Sequence, residues 1–113
     1  MVFDLEERTT NFARSVIRLC KSLPRNPMND RLTGQAVGSA GSVGANYREA
    51  NDALGKKDFL QRMKISRREA KEINHWLCLI EEANDYKRLE IAPLLKESKE
   101  LIKILSAIIN RSE

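Results

Sequence analysis

The chain's one histidine, His75, follows Glu72 by three residues in the run Glu72-Ile-Asn-His75. On a helix, a carboxylate and an imidazole at that spacing lie on one face and can reach the same metal ion. Carboxylate-bridged di-iron bundles use two such motifs plus two further glutamates. Here Glu49 is the available third ligand, and a second histidine would have to come from a symmetry-related copy. Cys–His spacings of the zinc type are missing, and no spacing points to a nucleophilic triad. A metal-dependent bundle enzyme is therefore the weakest of three functional readings. The expectation is no catalysis, no cofactor and no metal, with His75 facing solvent or an interface.

Phosphate recognition is better provided for. The chain holds 20 Lys and Arg against 16 Asp and Glu, a formal net charge of +4, and the excess is uneven. Residues 56–71 contain Lys56, Lys57, Arg62, Lys64, Arg67, Arg68 and Lys71 against Asp58 and Glu69. Lys57, Gln61, Lys64, Arg68, Lys71 and His75 recur at helical spacing and form one row. Arg14, Arg18, Lys21 and Arg25 form a second row, with no acid between them. The C-terminal third is nearly balanced. Rows of cations meet phosphates spaced along a backbone, and such contacts supply most non-specific affinity. Arg14, Arg18, Lys64, Arg67, Arg68 and Lys71 are the expected nucleic-acid-binding residues, weighed against an ordinary solvated face. Only Trp76 and Tyr47 stand near them in register. Stacking on single-stranded bases is thus weakly supported, and a contact to folded RNA by shape and charge fits better.

The element that must organise these rows is residues 32–54, which holds four of the chain's five glycines. Leu32, Ala36, Ala40, Val43, Tyr47, Ala50 and Leu54 make an apolar helical stripe. Gln35, Ser39, Ser42, Asn46 and Glu49 make a polar stripe beside it. Gly34, Gly38, Gly41 and Ala45 make a third, nearly without side chains. Four helical glycines cost about 3–4 kcal/mol relative to alanine, so the third stripe predicts a close helix neighbour. Gln35, Ser42, Asn46 and Glu49, with Glu72 on the next helix, are expected to form a polar network that fixes packing or an oligomer contact rather than a ligand pocket.

The other helices follow from the same period. The first covers about residues 5–22, with Asp4 and Glu7 as a capping box and Leu5, Thr9, Phe12, Val16, Leu19 and Leu23 inward. The second runs from about residue 28 or 30 to 53, with Gly55 as its stop. The third covers about 57–83, with Phe59, Met63, Ser66, Ala70, Ile73, Leu77 and Ile80 inward. The fourth covers about 91–110, with Pro93 in its first turn and Leu94, Ser98, Leu101, Leu105 and Ile108 inward, a stripe widened by Leu95, Ile102 and Ile109. Short connections make neighbours antiparallel. The expected fold is all-α: one left-handed, up-down-up-down four-helix bundle domain over residues 1–113. No apolar run is long enough for a membrane span, and MVFDLEERTT lacks a signal peptide's basic start and apolar run. A cytoplasmic protein with buried, free Cys20 and Cys78 is expected.

The run QAVGSAGSVGANYREA, then KKDFLQRMKISRREAKEINHWLCLIEEA, then ELIKILSAIIN resembles the bacterial four-helix-bundle family of 23S rRNA intervening-sequence proteins. The family's Gln, Ser, Asn, Glu pattern falls on Gln35, Ser42, Asn46 and Glu49. Its helix-3 pattern falls on Phe59, Leu60, Glu69, Ala70, Glu72, Trp76 and Leu77, and its closing motif on residues 100–105. Many members have Tyr where His75 stands. The resemblance implies a four-helix bundle that assembles as a ring-like homopentamer. Some members are encoded within ribosomal RNA genes. A related branch serves diversity-generating retroelements as an accessory variability protein, in which a basic pentamer engages nucleic acid and the reverse transcriptase. It implies no enzyme activity. Two non-catalytic readings result: a homo-oligomer that binds structured RNA or other nucleic acid, and an assembly scaffold that does not.

Overall fold

The computed structural model describes residues 4–113 and contains α1 (Leu5–Lys21), α2 (Pro27–Asn51), α3 (Lys56–Ala83) and α4 (Arg88–Ser112). The first three start where the sequence provides a suitable residue. Asp4 accepts a hydrogen bond from the Glu7 N–H at 3.1 Å, one half of the expected capping box. Asn26 accepts from the Asn29 N–H at 2.8 Å, and Pro27 occupies the first turn of α2. Gly55 precedes α3 with φ of +109°, a conformation that side chains resist. It was expected as the stop of α2, but α2 ends earlier and Gly55 serves the start of α3. Leu54, assigned to the core stripe, lies in that joint and is 95% exposed.

The fourth helix also begins earlier than its periodicity suggested. A 3-10 turn at Asp85–Lys87 runs directly into Arg88, which leaves Pro93 inside the helix rather than in its first turn. The proline lacks an N–H for the Leu89 carbonyl. Both residues are exposed, so water can satisfy that carbonyl.

Consecutive helices pack antiparallel, α1 closes against α4, and the backbones of the diagonal pairs α1/α3 and α2/α4 do not approach closely. The result is an all-α four-helix bundle measuring 45 × 28 × 19 Å. The 28 residues of α3 account for its long axis at about 1.5 Å per residue. The α2/α3 seam is the most extensive and the α1/α4 seam the slightest. The inward stripes of α1 and α3 lie in the core as expected, except that Phe59 is only partly buried. In α4, Ser98, Leu101 and Leu105 are buried as expected, and Leu94 and Ile108 are only partly buried. Ile109, from the wider edge of the stripe, completes the core, because the helix is rotated slightly from the stripe's centre.

Two close approaches set the packing. Ser66 Oγ donates to the Val43 carbonyl at 2.7 Å across the α2/α3 seam. Gly44 faces Thr9, and a Cβ on Gly44 would lie 2.9 Å from Thr9 Oγ1 and 3.3 Å from its Cβ. The close helix contact expected of Gly34, Gly38, Gly41 and Ala45 is thus made within the subunit by Gly44. The stripe of four points away from the core to solvent, and a Cβ on any of its three glycines would meet nothing within 4 Å. At the opposite end, Asn29 and Asn84 exchange side-chain amide hydrogen bonds of 3.1 and 2.9 Å and are both buried.

Candidate nucleic-acid interface

The outward row of α3 is set by its core. Because Met63, Ser66, Ala70, Ile73 and Leu77 point inward, Lys57, Gln61, Lys64, Arg68, Lys71 and His75 stand on the opposite side and are exposed. Arg68 and Lys71 have no ion-pair partner among the described residues. Lys64 pairs with Glu113 at 3.2 Å. Arg67 is half-buried and donates to Ser106 Oγ on α4 at 3.4 Å. Lys57, Leu60, Gln61, Lys64, Ile65 and Arg68 line a shallow groove of about 550 Å³. Four of the six expected contact residues, Lys64, Arg67, Arg68 and Lys71, therefore belong to one region of α3.

Arg14 and Arg18 do not join them. Both are exposed on α1, the helix diagonal to α3. Arg14 donates to Asn11 at 3.0 Å and Arg18 to Ser15 at 3.4 Å. Further along that row, Arg25 pairs with Asp30 at 2.7 Å. A subunit thus carries two separate basic surfaces.

Of the five residues expected to form a polar network, only Asn46 and Ser42 share a hydrogen bond within the subunit. Asn46 donates to the Ser42 backbone carbonyl at 2.9 Å. Glu49 reaches across to Arg62 on α3 at 3.3 Å. Gln35 and Glu72 are exposed. Glu72 instead affects Glu69: partial burial, then a hydrogen bond to Glu72 and its like charge, raise the Glu69 carboxyl above the ordinary value, while Arg68 opposes the shift. His75 is exposed and meets Trp76 edge-on, with ring centroids 5.1 Å apart. Among the described residues, no three of His, Cys, Asp and Glu converge on a point where a metal ion could sit.

The cysteines divide. Cys20 is half-buried, and its thiol is pushed up to about 11 by burial. Cys78 was expected inside but is exposed. It follows Leu77 by one residue, which turns it about 100° away from the core stripe.

Sequence reading missed how α4 sorts its charges. Glu97 turns toward α1 and receives both Arg8 Nε at 2.6 Å and Arg8 Nη2 at 2.7 Å. That hydrogen-bonded pair, assisted by Glu100, raises Arg8 despite partial burial. Glu90 pairs with Lys87 at 3.4 Å. Lys96, Lys99 and Lys103 are all exposed, without ion-pair partners among the described residues. The signal was present in the spacing: residues 96, 99 and 103 share a face opposite Leu101 and Leu105.

The family model for the 23S rRNA-intervening sequence protein matches residues 3–107. The chain belongs to the 23S rRNA-intervening sequence protein family. A crystal structure from Bacteroides thetaiotaomicron, of a protein of unknown function from the S23 ribosomal protein family, is similar to this family member. The two share 27% identity over 94% of this chain and 98% of that one, with a TM-score of 0.83. Comparison with curated proteins gives no match. Membership in the 23S rRNA-intervening sequence protein family fits the bundle described above and assigns no catalytic site to it. No helix among the described residues is long and apolar enough to cross a membrane.

Proposed function

We propose that this protein is a non-catalytic homo-oligomer, a pentamer by its family resemblance, that binds structured RNA in the cytoplasm. The observation carrying this reading is the outward row of α3, where Arg68 and Lys71 are exposed and unpaired among the described residues. Phosphates can replace the water around such cations without breaking an internal ion pair. A ring would repeat the row on every subunit, and avidity would multiply contacts that are weak singly. The α1 row, with Arg14 and Arg18, would then be a second surface of the same assembly.

The test is binding of a structured RNA across a salt series. Affinity should fall with a log–log slope of about −0.7 to −0.9 per phosphate contacted. A flat response, or no binding at low salt, overturns the reading. Light scattering of the same sample reports assembly, and a strict monomer excludes the ring.

The open glycine stripe of α2 favours a second reading, an assembly scaffold without a nucleic-acid ligand. Gly34, Gly38 and Gly41 leave a smooth exposed face on which a neighbour's helix can approach closely. Assembly combined with absent RNA binding would select this reading.

A further inference from the structure

The α3/α4 seam is flanked by two facing rows of cations, and one hydrogen bond fixes their relation. Arg67 Nη1 donates to Ser106 Oγ, so Ser106 marks the side of α4 turned toward α3. Lys103 lies one turn before Ser106 and Lys99 two turns before it, on that same side. On α3, Lys64 lies one turn before Arg67 and Lys71 one turn after. Asn74 Nδ2 donates to Ser98 Oγ at 2.8 Å further along the seam, so the rows stay aligned over several turns.

Acids are turned away from this strip. Glu97 faces Arg8 on α1. Glu69 shares the stripe of Arg62, which faces Glu49 on α2. Exceptions stand at its ends: Glu113 beside Lys64, and exposed Glu82, three turns beyond Lys71 on the same side of α3. Lys71, Lys99 and Lys103 are left exposed and without ion-pair partners among the described residues. Along the seam they follow the half-buried Arg67, between the Arg67–Ser106 and Asn74–Ser98 contacts.

The geometry points to a two-row site for an A-form RNA duplex, in which Arg67 and Lys71 hold one phosphate backbone and Lys99 and Lys103 hold the other. This rests on the RNA reading above and names its substrate class. Packed helices lie about 8–10 Å apart, so the rows are separated by about that distance, with long side chains able to adjust. An A-form duplex has a deep, narrow major groove that brings its two backbones close together while excluding side chains. The B-form major groove is wider, about 12 Å, and is suited to an inserted helix. A single strand offers one line of phosphates and would engage one row. Beside these cations His75, one turn beyond Lys71, is the ring on which a base could stack, a single platform rather than the series that strand binders use.

The experiment uses the full chain and three probes of about 20 nucleotides per strand: duplex RNA, duplex DNA of the same sequence, and one RNA strand. Fluorescence anisotropy is read from about 50 to 200 mM salt. The variants are K99Q/K103Q, R67Q/K71Q and the charge-keeping K99R/K103R. Duplex RNA should bind tightest. K99Q/K103Q should weaken it about tenfold and reduce the salt slope by about 2, with single-strand affinity little changed and K99R/K103R close to wild type. Circular dichroism and light scattering of the variants show whether fold and assembly are intact. Wild-type affinity in K99Q/K103Q beside a loss in R67Q/K71Q would overturn the two-row site and leave the α3 reading standing. Equal or tighter binding of DNA duplex or single strand would also overturn the A-form assignment. Failure of the wild-type chain to bind any probe would remove both.

Discussion

Replacing Gly44 with alanine should distinguish the glycine that packs from those that do not. An added Cβ would lie 2.9 Å from Thr9 Oγ1 and 3.3 Å from Thr9 Cβ. The Thr9 hydroxyl is held by the Leu5 carbonyl at 2.8 Å and the Glu6 carbonyl at 3.1 Å. Thr9 is fully buried, and its β-branched side chain has few alternative rotamers. Relief therefore requires α1 to move. Helix propensity favours alanine by about 0.8–1 kcal/mol, while overpacking costs about 1–3 kcal/mol. The expected net is a loss of up to about 2 kcal/mol. Gly38→Ala and Gly41→Ala meet nothing within 4 Å and should each add about 0.8–1 kcal/mol. Urea unfolding followed by circular dichroism, at fixed protein concentration, reads the difference. Combining Gly44→Ala with Thr9→Ala should recover part of the loss, with a coupling of about 1 kcal/mol or more. Equal urea midpoints for Gly44→Ala and Gly38→Ala would refute the seating of α1 on Gly44. Leucine at Gly38 and Gly41 asks a separate question: a folded subunit that no longer assembles locates the oligomer contact, and unchanged assembly removes that stripe from it.

Asn84→Ala should cost about 2–4 kcal/mol in the same unfolding assay, because Asn29 loses its amide partner in a buried site; a loss below about 0.5 kcal/mol would show that water replaces the pair. Glu69 binds its proton more tightly when folded than its ordinary value of 4.5 allows. Its contribution to stability is therefore present below that value and is lost as pH rises through the raised one. Glu72→Gln removes the like charge and one cause of the shift, and should stabilise the protein at pH 7 by about 0.2–0.5 kcal/mol. The gain should shrink toward pH 4; a gain independent of pH between 4 and 7 would contradict the carboxyl pair.

The helix pattern was legible because burial imposes a period. Val16, Met63, Ile73 and Leu105 could be assigned inward from spacing alone, and all are fully buried. Helix ends were less legible. Pro93 looked like a first-turn residue because nothing local announces that the turn at Asp85–Lys87 flows into α4. Gly55 read as a stop because a glycine after a helix serves either the end before it or the start after it. Spacing could name a bare face on α2, but it could not tell which glycine meets a helix. Gly44 belongs to that contact because it lies toward α1, off the stripe that drew attention. The Asn29–Asn84 pair bridges 55 residues, beyond what local pattern can pair.

The basic surface shows the same limit. Arg68 and Lys71 were legible because seven cations crowd residues 56–71. Lys99 and Lys103 were hidden by averaging, since Glu97 and Glu100 neutralise them in composition but not in space. Arg14 and Arg18 were legible as a row of their own, but the setting of their helix diagonal to α3 was not.

The slight α1/α4 seam gives the bundle an order of release. Arg8 and Glu97 clasp it at 2.6 Å, with both side chains more than a quarter exposed. Amide protons in α1 should therefore exchange through a partial opening that leaves α2, α3 and α4 in register, while those along the α2/α3 seam wait for global unfolding. The subunit divides into a detachable strap and a three-helix remainder. The same opening would uncover Phe12 and Val16 and lift Thr9 from Gly44, making the strap the earliest place for a protease to cut.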